Sequence, residues 1–120
     1  MSYLQKAKDL YQMVCQGQLL DAFEKYYHED VLMIEANGAA RSGKAENREY
    51  EKQFLAGVSQ MNDGGVTAIT SNEETGVTMV ESWMDISFKD GNRMKMEEVA
   101  VQTWKDDQII REHFYYNMGS

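Results

Sequence analysis

Residues 77–117 read VTMVESWMDISFKDGNRMKMEEVAVQTWKDDQIIREHFYYN, and this stretch decides the fold. Three long runs rich in β-branched and aromatic residues are separated by Asp-Gly at 90–91 and by Lys-Asp-Asp at 105–107. Asp-Gly between two extended runs is a specific signal for a tight hairpin turn. The stretch therefore predicts an antiparallel meander of three strands.

Carboxylates and large aromatic side chains are interleaved along these strands. Successive side chains of a strand point to opposite faces, so this pattern puts several acids on the same faces as aromatic rings. A purely structural sheet has little reason to do so, because burying a charge is costly. We expect a curved sheet that lines a pocket with acidic groups. The acids are Glu81, Asp85, Glu97, Glu98 and Glu112, and the aromatics are Trp83, Trp104, Phe114 and Tyr116.

The first turn assigns the faces. A two-residue loop at 90–91 places Trp83 opposite Glu98 and Asp85 opposite Met96. The predicted pocket face is Met79, Glu81, Trp83, Asp85, Met96, Glu98, Ala100, Gln102 and Trp104. The opposite face, which resembles a dimer surface, is Val80, Met84, Ile86, Phe88, Lys95, Val99 and Val101.

The second turn decides what the last strand contributes to the pocket. A three-residue loop at 105–107, with Asp107 left-handed, turns Glu112, Phe114 and Tyr116 inward. A two-residue loop at 106–107 turns Arg111, His113 and Tyr115 inward instead, because a slip of one residue exchanges the faces of a strand. We expect the three-residue loop, and hence a carboxylate rather than a histidine in the pocket.

The rest of the chain predicts an α+β domain spanning residues 1–120. Helical spacing of apolar residues favours helices over residues 2–16, 19–27 and 45–58. Extended runs at 31–36 and 66–72 are separated from their surroundings by Asn-Gly at 37–38 and Asp-Gly-Gly at 63–65. Helices first and a meander afterwards predict three N-terminal helices packed on one face of a strongly curved, mostly antiparallel mixed sheet.

The composition excludes several classes of partner. The 120-residue chain carries a formal net charge of −8, and no basic stripe exists to neutralise phosphates, so nucleic acid and anionic membranes are not expected partners. No apolar stretch is long enough to span a bilayer, and a cytoplasmic location is expected. The lone Cys15 excludes an internal disulfide, and His28 and His113 are too isolated to form a zinc site. We expect no metal and no cofactor.

Four stretches in order resemble one family. Residues 22–35 (AFEKYYHEDVLMIE), 41–48 (RSGKAENR), 88–92 (FKDGN) and 104–117 (WKDDQIIREHFYYN) are similar to the SnoaL-like branch of the nuclear-transport-factor-like (cystatin-like) α+β cone superfamily. The resemblance implies a strongly bent sheet around the helices, with a deep pocket between them. It also implies a homodimer through the outer sheet face. It does not imply one function, because this fold hosts isomerases, cyclases, dehydratases, epoxide hydrolases and non-catalytic binders.

The resemblance singles out Glu35 as a candidate catalytic residue. In relatives that isomerise ketosteroids, a general-base carboxylate lies on the strand after the second helix, and Glu35 matches that place. The other parts of that machinery are missing: Leu10 occupies the place of its tyrosine, with Tyr11 expected to point elsewhere, and Ala100 occupies the place of its protonated aspartate. Steroid isomerisation is therefore not expected.

Glu98 and Glu112 are the other catalytic candidates. Two carboxylates near each other push one pKa upward, which provides an acid and a base at neutral pH. The alternative is that each pairs with a cation, because buried acids are usually paired. The available partners are Arg41, Arg48 and Arg111.

Aromatic residues supply the candidate ligand-binding surface. Tyr50 and Phe54 on the third helix are expected to close the roof of the pocket, with the Tyr50 hydroxyl available to a ligand or to Glu35. Trp83 and Trp104 suit a planar or polycyclic ligand. The predicted ligand-binding set is Tyr50, Phe54, Trp83, Gln102, Trp104, Phe114 and Tyr116.

These residues support three hypotheses about function. The first is a cofactor-independent acid–base enzyme of isomerase, cyclase or hydrolase type, acting on a small apolar or polycyclic molecule. The second is a non-catalytic binding module with the same pocket. The third is a dimerisation domain whose pocket is vestigial. Glu35 and Glu98 are expected to line one cavity if the first hypothesis holds.

Overall fold

The computed structural model describes residues 1–117, and residues 118–120 of the predicted domain lie outside this range. The fold is α+β, with three helices and one six-stranded mixed sheet. The helices are α1 (Tyr3–Cys15), α2 (Leu19–Tyr26) and α3 (Lys44–Ala56). The strands are β1 (Tyr27–Ile34), β2 (Ala40–Ser42), β3 (Val58–Asn72), β4 (Val77–Phe88), β5 (Arg93–Lys105) and β6 (Gln108–Tyr115). The α+β prediction is confirmed.

Helix α1 begins where the sequence predicts it. The Ser2 hydroxyl accepts a hydrogen bond from the Gln5 backbone, and the Gln5 side chain accepts one from the Ser2 backbone. This capping box satisfies two of the amide groups that a helix start leaves unpaired. Ala7 and Leu10 are buried against the sheet side, so one turn-spaced stripe of α1 anchors the helix.

The strand order in the sheet is β2-β1-β6-β5-β4-β3. Strands β1 and β6 pair in parallel, and every other pair is antiparallel. The meander of β4, β5 and β6 is confirmed. Strand β3, which pairs with β4 at the edge of the meander, is longer than expected. It begins at Val58 and runs through the Asp-Gly-Gly of residues 63–65.

Two glycines explain why β3 does not break. The strand carries three register shifts against β4, and irregularities of this kind let a strand bend without ending. A Cβ on Gly64 would lie 2.8 Å from the Met61 methyl carbon, and one on Gly65 would lie 3.2 Å from Trp83 Nε1. The residues that read as a turn are therefore strand positions at which neighbouring side chains need the space.

The first hairpin has a different register from the predicted one. Phe88 and Asn92 are joined by a backbone hydrogen bond, so the loop holds three residues, 89–91, and Gly91 is left-handed with φ +96°. Trp83 therefore lies opposite Glu97, and Glu98 lies opposite Ser82. The β5 half of the predicted pocket face is right, whereas its β4 half is wrong, because one residue of slip turned β4 over.

The corrected faces follow from burial. Val80 and Ile86, predicted for the dimer surface, are buried in the core, and Met84 lines the internal cavity. Phe88 packs edge-on against Phe54. The outer face of the sheet instead carries Met79, Glu81, Trp83, Asp85, Lys95, Val99, Val101 and Tyr115.

The second hairpin reaches the predicted result by another route. Lys105 pairs with Gln108, so the loop holds two residues, and the left-handed one is Asp106 (φ +56°) rather than Asp107. A regular ladder from this loop would turn His113 inward. A bulge at Ile110 prevents this: Trp104 pairs with Ile109, but Thr103 pairs with Arg111. Glu112 consequently lies opposite Gln102 and faces inward.

The core lies between the helices and the inner face of the sheet. Trp104 belongs to this core: its ring is tilted by 38° against the ring of Tyr3 at a centroid distance of 5.7 Å, and it meets Tyr26 edge-on at 5.8 Å. The strand side supplies the fully buried Val80 and Ile109. Several polar side chains are as deeply buried as these apolar ones, and they define the site: Asn47, Thr78, Gln102 and Glu112.

Candidate functional site

An internal cavity of about 170 Å³ lies between the three helices and the inner face of the sheet. Its walls are mostly apolar and aromatic, with Tyr11 and Phe23 from the first two helices and Phe54 from α3. Cavities of about 150 Å³ lined by apolar side chains bind benzene, so this one has room for a ligand of about that size. Four carboxyl groups also line it: Glu35, Glu51, Glu98 and Glu112.

Glu98 enters the cavity from β5. Its carboxyl group makes no hydrogen bond and no ion pair with any of residues 1–117. Burial in the apolar cavity, together with the negative charges of Glu35 and Glu51, raises its pKa to about 7. A carboxyl group with this pKa exchanges a proton readily at neutral pH, which is the property a general acid or base needs.

Glu51 is a second such group, and sequence reasoning missed it. It projects from α3 and is likewise without a hydrogen bond or ion pair in the described chain. Burial raises its pKa to about 7, although the positive charge of Arg41 opposes the rise. A signal existed: Glu51 is three and four residues before Phe54 and Leu55, so it shares their helix face.

Glu112 lies deepest, with only 1% of its surface exposed. The Tyr27 hydroxyl donates to Glu112 Oε1 at 2.5 Å, and Gln102 Nε2 donates to Oε2 at 2.7 Å. These two donors favour the carboxylate, but burial outweighs them and raises the pKa of Glu112 to about 8, with help from the charges of Glu98 and Glu51. Glu112 is therefore mostly a neutral acid at pH 7.

Glu35 differs from the other three carboxylates because it is paired. Arg41 Nη2 lies 2.7 Å from Glu35 Oε2, and the Tyr116 hydroxyl donates to Oε1 at 3.0 Å. Asn47 accepts from Arg41 Nε at 3.1 Å, and the Arg41 guanidinium lies 3.5 Å from the ring centre of Tyr50. The Glu35 carboxyl group is therefore held in a fixed position at the wall of the cavity.

Glu35 and Glu98 both line this cavity. The alternative, in which arginines pair with Glu98 and Glu112, is wrong. Arg41 pairs with Glu35 and Arg48 with Glu24, while Arg111 lies beside His113, 3.4 Å from its Nδ1. Glu98 and Glu112 thus share the cavity without a cation of their own.

The predicted ligand-binding residues divide into two groups. Tyr50, Phe54 and Phe114 line the cavity as expected, although Tyr116 rather than Tyr50 reaches Glu35. Trp83 is also among the residues that line the cavity, but its side chain is on the opposite face of β4 from Ser82 and Met84, with the ring beside Gly65 and Lys95 Nζ 5.0 Å from the ring centre.

The remaining predicted residues stand behind the cavity wall. Trp104 belongs to the core, and its indole N–H donates to Thr78 Oγ1 at 2.8 Å. Gln102 holds Glu112, as described above, and Tyr116 holds Glu35. These residues support the carboxyl groups and are not among those that line the cavity.

Tyrosine hydroxyls are present in the cavity, which corrects a further expectation. Tyr11 was expected to point away, yet it lines the cavity, and its hydroxyl accepts from Gln102 Nε2 at 3.4 Å. Tyr27 lines the cavity as well. Burial raises the pKa of both tyrosines well above the ordinary value, so both are neutral hydrogen-bonding groups.

The described residues hold neither a metal-binding cluster nor a membrane-spanning helix. Residues 1–117 contain no group of three or more His, Cys, Asp or Glu side chains placed to hold a metal ion. None of the helices in this range has the length and apolar character needed to cross a bilayer.

Comparison with known proteins identifies the family. The sequence profile of the SnoaL-like domain matches residues 1–116. A candidate SnoaL-like polyketide cyclase from Mesorhizobium loti, also labelled carbohydrate phosphatase, is 28% identical, with a TM-score of 0.83 over 97% of this chain and all of that one.

Two further solved structures show the same fold at lower identity. An NTF2-like protein of unknown function from Burkholderia pseudomallei is 12% identical, with a TM-score of 0.81 over 98% of this chain and 92% of its own. A candidate isomerase from Bacillus subtilis is 15% identical, with a TM-score of 0.81 over 98% and 90%. No curated protein matches the chain. The profile match spans nearly the whole sequence, and the chain belongs to the SnoaL-like domain family.

Proposed function

We propose that this protein is a cofactor-independent acid–base enzyme acting on a small, largely apolar molecule bound in the cavity. The observation that carries the proposal is the pair of unpartnered carboxyl groups, Glu98 and Glu51, in a cavity with mostly apolar walls. Both side chains are half-buried, and an acid that is shielded from water without a partner costs stability. Its presence is accounted for if a ligand uses it.

Proton transfer is the chemistry that these groups can perform. With a pKa of about 7, Glu98 is divided between its two forms at neutral pH, so it can take a proton from a carbon next to a carbonyl and return it elsewhere. Isomerisation, cyclisation and addition of water all need such a step. Glu112 supplies a neutral acid nearby.

Glu35 has a different role in this proposal from the one that the resemblance implies. Its two carboxylate oxygens already accept hydrogen bonds, one from Arg41 and one from Tyr116, so they are engaged within the protein. We assign proton transfer to Glu98 and treat Glu35 as a fixed negative charge at the wall. That charge helps to keep the pKa of Glu98 high.

The cavity volume limits the ligand. About 170 Å³ suits a single ring or a short branched chain better than a polycyclic molecule. The planar polycyclic ligand expected from the sequence depended on Trp83 and Trp104, whose rings lie beside Gly65 and in the core. The similar protein from Mesorhizobium loti is described as a candidate polyketide cyclase, and cyclisation is one of the reactions that this proposal includes.

The test needs no knowledge of the natural substrate. Small cyclic ketones are incubated with the protein in D₂O, and loss of the α-protons is followed by NMR. We expect saturable, catalysed exchange that falls by about 100-fold or more in Glu98→Gln, since positioned acid–base groups contribute about 10²–10⁴ in rate. Glu97→Gln is the matched control, because Glu97 is adjacent but exposed on the outer face. Equal exchange in both variants would exclude Glu98 as the base.

A non-catalytic binding module is the second candidate, and the pairing of Glu35 favours it. The residue that matches the base of the isomerising relatives is engaged with Arg41 and is not free. In this case, ketones would raise the melting temperature of the protein without any exchange above the solvent rate.

We also propose a cytoplasmic homodimer that associates through the outer face of a strongly curved, cone-like sheet. Exposed and half-buried apolar side chains on that face, Met79, Val99, Val101 and Tyr115, support the proposal. Sedimentation at low micromolar concentration should give twice the 13.8 kDa chain mass. Val101→Lys should shift the mass toward that of the monomer, because it places a charge in the apolar patch.

A further inference from the structure

A chain of hydrogen bonds between buried side chains lies directly behind the cavity wall. Trp104 Nε1 donates to Thr78 Oγ1 at 2.8 Å, Thr78 Oγ1 donates to Gln102 Oε1 at 2.7 Å, and Gln102 Nε2 donates to Glu112 Oε2 at 2.7 Å. All four side chains are at most 4% exposed. Each link therefore has to be satisfied within the protein.

The direction of this chain is fixed by its first member. An indole N–H can only donate, so Thr78 accepts from Trp104 and has one proton left, which it gives to Gln102. This makes the atom of Gln102 beside Thr78 the amide oxygen. The amide nitrogen must then face the other way, toward Glu112 and Tyr11.

The orientation of Gln102 decides where the acid proton of Glu112 lies. Oε2 accepts from Gln102, so the proton of a neutral Glu112 is on Oε1, which faces the Tyr27 hydroxyl at 2.5 Å. In that state Glu112 donates and Tyr27 accepts. The O–H of Tyr27 is then no longer donated to Glu112, and no other group within residues 1–117 bonds to this hydroxyl. Because Tyr27 lines the cavity, the proton can turn toward a ligand.

The surroundings of Glu112 favour its neutral form. Tyr11 faces it from α1, Tyr27 from β1, Glu51 from α3 and Glu98 from β5. None of these groups is a cation. Burial and the two neighbouring acids raise the pKa of Glu112 to about 8, so the donor state of Tyr27 predominates at pH 7.

We propose that Tyr27 donates a hydrogen bond to an acceptor oxygen of the ligand, and that Thr78 and Gln102 are positioning residues that set this donor. The inference rests on the proposed function and deepens it: the ligand is a small molecule that carries a carbonyl or comparable oxygen. The tyrosine hydroxyl then stabilises the negative charge that develops on that oxygen when Glu98 removes a neighbouring proton.

The first experiment compares two probes of similar shape, cyclohexanone labelled with ¹³C at its carbonyl and methylenecyclohexane. Dissociation constants are measured by NMR titration of the wild type and of Tyr27→Phe at pH 6.5. Loss of one hydrogen bond should weaken ketone binding by about 3- to 10-fold and leave hydrocarbon binding unchanged. The ¹³C resonance of the bound ketone should move downfield in the wild type and less in the variant.

The second experiment tests the positioning residues with Thr78→Val and Thr78→Ser. Valine keeps the shape and removes the hydroxyl, so Gln102 loses its anchor and Glu112 loses a reliable donor. Without that donor, the pKa of Glu112, followed by carboxyl ¹³C shifts, should rise. Because Gln102 can then turn, the acid proton of Glu112 is no longer confined to Oε1, so Tyr27 can again donate to Oε1 and ketone affinity should fall. Serine keeps the hydroxyl and should restore both. These readouts also decide the matter if Tyr27→Phe does not fold.

The dependence on pH gives a further check. At pH 9.5 Glu112 is ionised and again accepts a hydrogen bond from the Tyr27 hydroxyl. The wild type should therefore lose its preference for the ketone and match Tyr27→Phe. The inference is overturned if the ketone does not bind, if Tyr27→Phe keeps the preference, or if Thr78→Val titrates like the wild type. If Glu98→Gln loses exchange while Tyr27→Phe still prefers the ketone, the proposed function stands and this inference fails.

Discussion

The two hairpins of the meander determine in different ways which side chains face the cavity. The β4–β5 hairpin has a three-residue loop, and its ladder is regular from Val77 to Ser87. The β5–β6 hairpin has a two-residue loop and a bulge at Ile110. In the first hairpin the loop alone decides which side chains face the cavity. In the second, the loop alone would turn His113 toward the cavity, and the bulge turns Glu112 toward it instead.

This difference teaches that the length of a turn cannot be read separately from the ladder that follows it. Each residue of slip exchanges the faces of a strand, and two slips cancel. The β5–β6 hairpin uses this cancellation to place Glu112 inside the protein. We therefore expect the second hairpin to tolerate changes of length that the first does not.

The largest expected effect is the difference in stability between two single-residue deletions, one in each hairpin. Deleting Glu97 turns residues 93–96 over, which moves Met96 out of the cavity wall and Lys95 into it, and should cost about 4 kcal/mol or more of unfolding free energy. Deleting Ile110 removes the bulge and keeps Gln102 opposite Glu112, so it should cost much less. Urea denaturation measures both.

Side-chain controls separate register from composition in these deletions. Glu97→Ala removes only an exposed side chain and should change stability by less than about 1 kcal/mol. Ile110→Ala should cost about 1–2 kcal/mol for a half-buried side chain. A deletion of Ile110 as damaging as that of Glu97 would contradict the comparison.

The next effect concerns what the bulge places in the interior. Folded Glu112 holds its proton up to a pH of about 8, whereas the unfolded chain releases it near 4.5. Between these values the folded state binds the extra proton, so the unfolding free energy falls as the pH rises, by about 1.4 kcal/mol per unit. Glu112→Gln should remove the part of the slope that Glu112 contributes and gain up to about 4 kcal/mol on the wild type between pH 5 and pH 8.

Stability curves at several pH values provide the measurement. Part of the slope should survive in Glu112→Gln, because Glu98 and Glu51 also have raised pKa values, each of about 7. Glu97→Gln, on the outer face, should leave the slope unchanged. Parallel curves for the wild type and Glu112→Gln would show that Glu112 is ionised in the folded protein.

The smallest effect concerns the two left-handed turn residues. Gly91 has φ +96° with no atom near a would-be Cβ, so Gly91→Ala should cost about 1–2 kcal/mol for the backbone alone. Asp106 already accepts φ +56°, and Asp106→Gly should gain up to about 1 kcal/mol. Thermal unfolding resolves both, and equal effects of the same sign would contradict the assigned turn geometry.

The sequence was sufficient for the fold wherever a local pattern governs the structure. The capping box at Ser2, the helix stripes and the three strands of the meander all follow from short-range rules. The full length of β3 did not follow, because Gly64 leaves space for Met61 of the same strand and Gly65 leaves space for Trp83 of the neighbouring strand β4, which no local turn signal reveals. Glycine is favoured both in turns and at strand positions where a neighbouring side chain needs space, so its presence alone does not distinguish the two.

The site was predictable in part for the same reason. Glu98 and Glu112 were placed inward correctly, one from a wrong loop length that did not affect β5 and the other by a bulge that no local signal marks. Trp83 was lost to the first error. Glu51 was not predicted, because the inward face of α3 was defined by its apolar residues alone, whereas a helix face that lines a cavity can carry acids as well.

The positions of the two tryptophans have a spectroscopic consequence. Trp104 is enclosed in the core beside Tyr3 and Tyr26, whereas Trp83 lies across Gly65 on the outer face of the sheet. The protein thus contains two intrinsic fluorophores that report different events. Emission from Trp104 follows unfolding, and emission from Trp83 follows whatever covers the outer face. In Trp83→Phe and Trp104→Phe variants, folding and association can each be observed without an added dye.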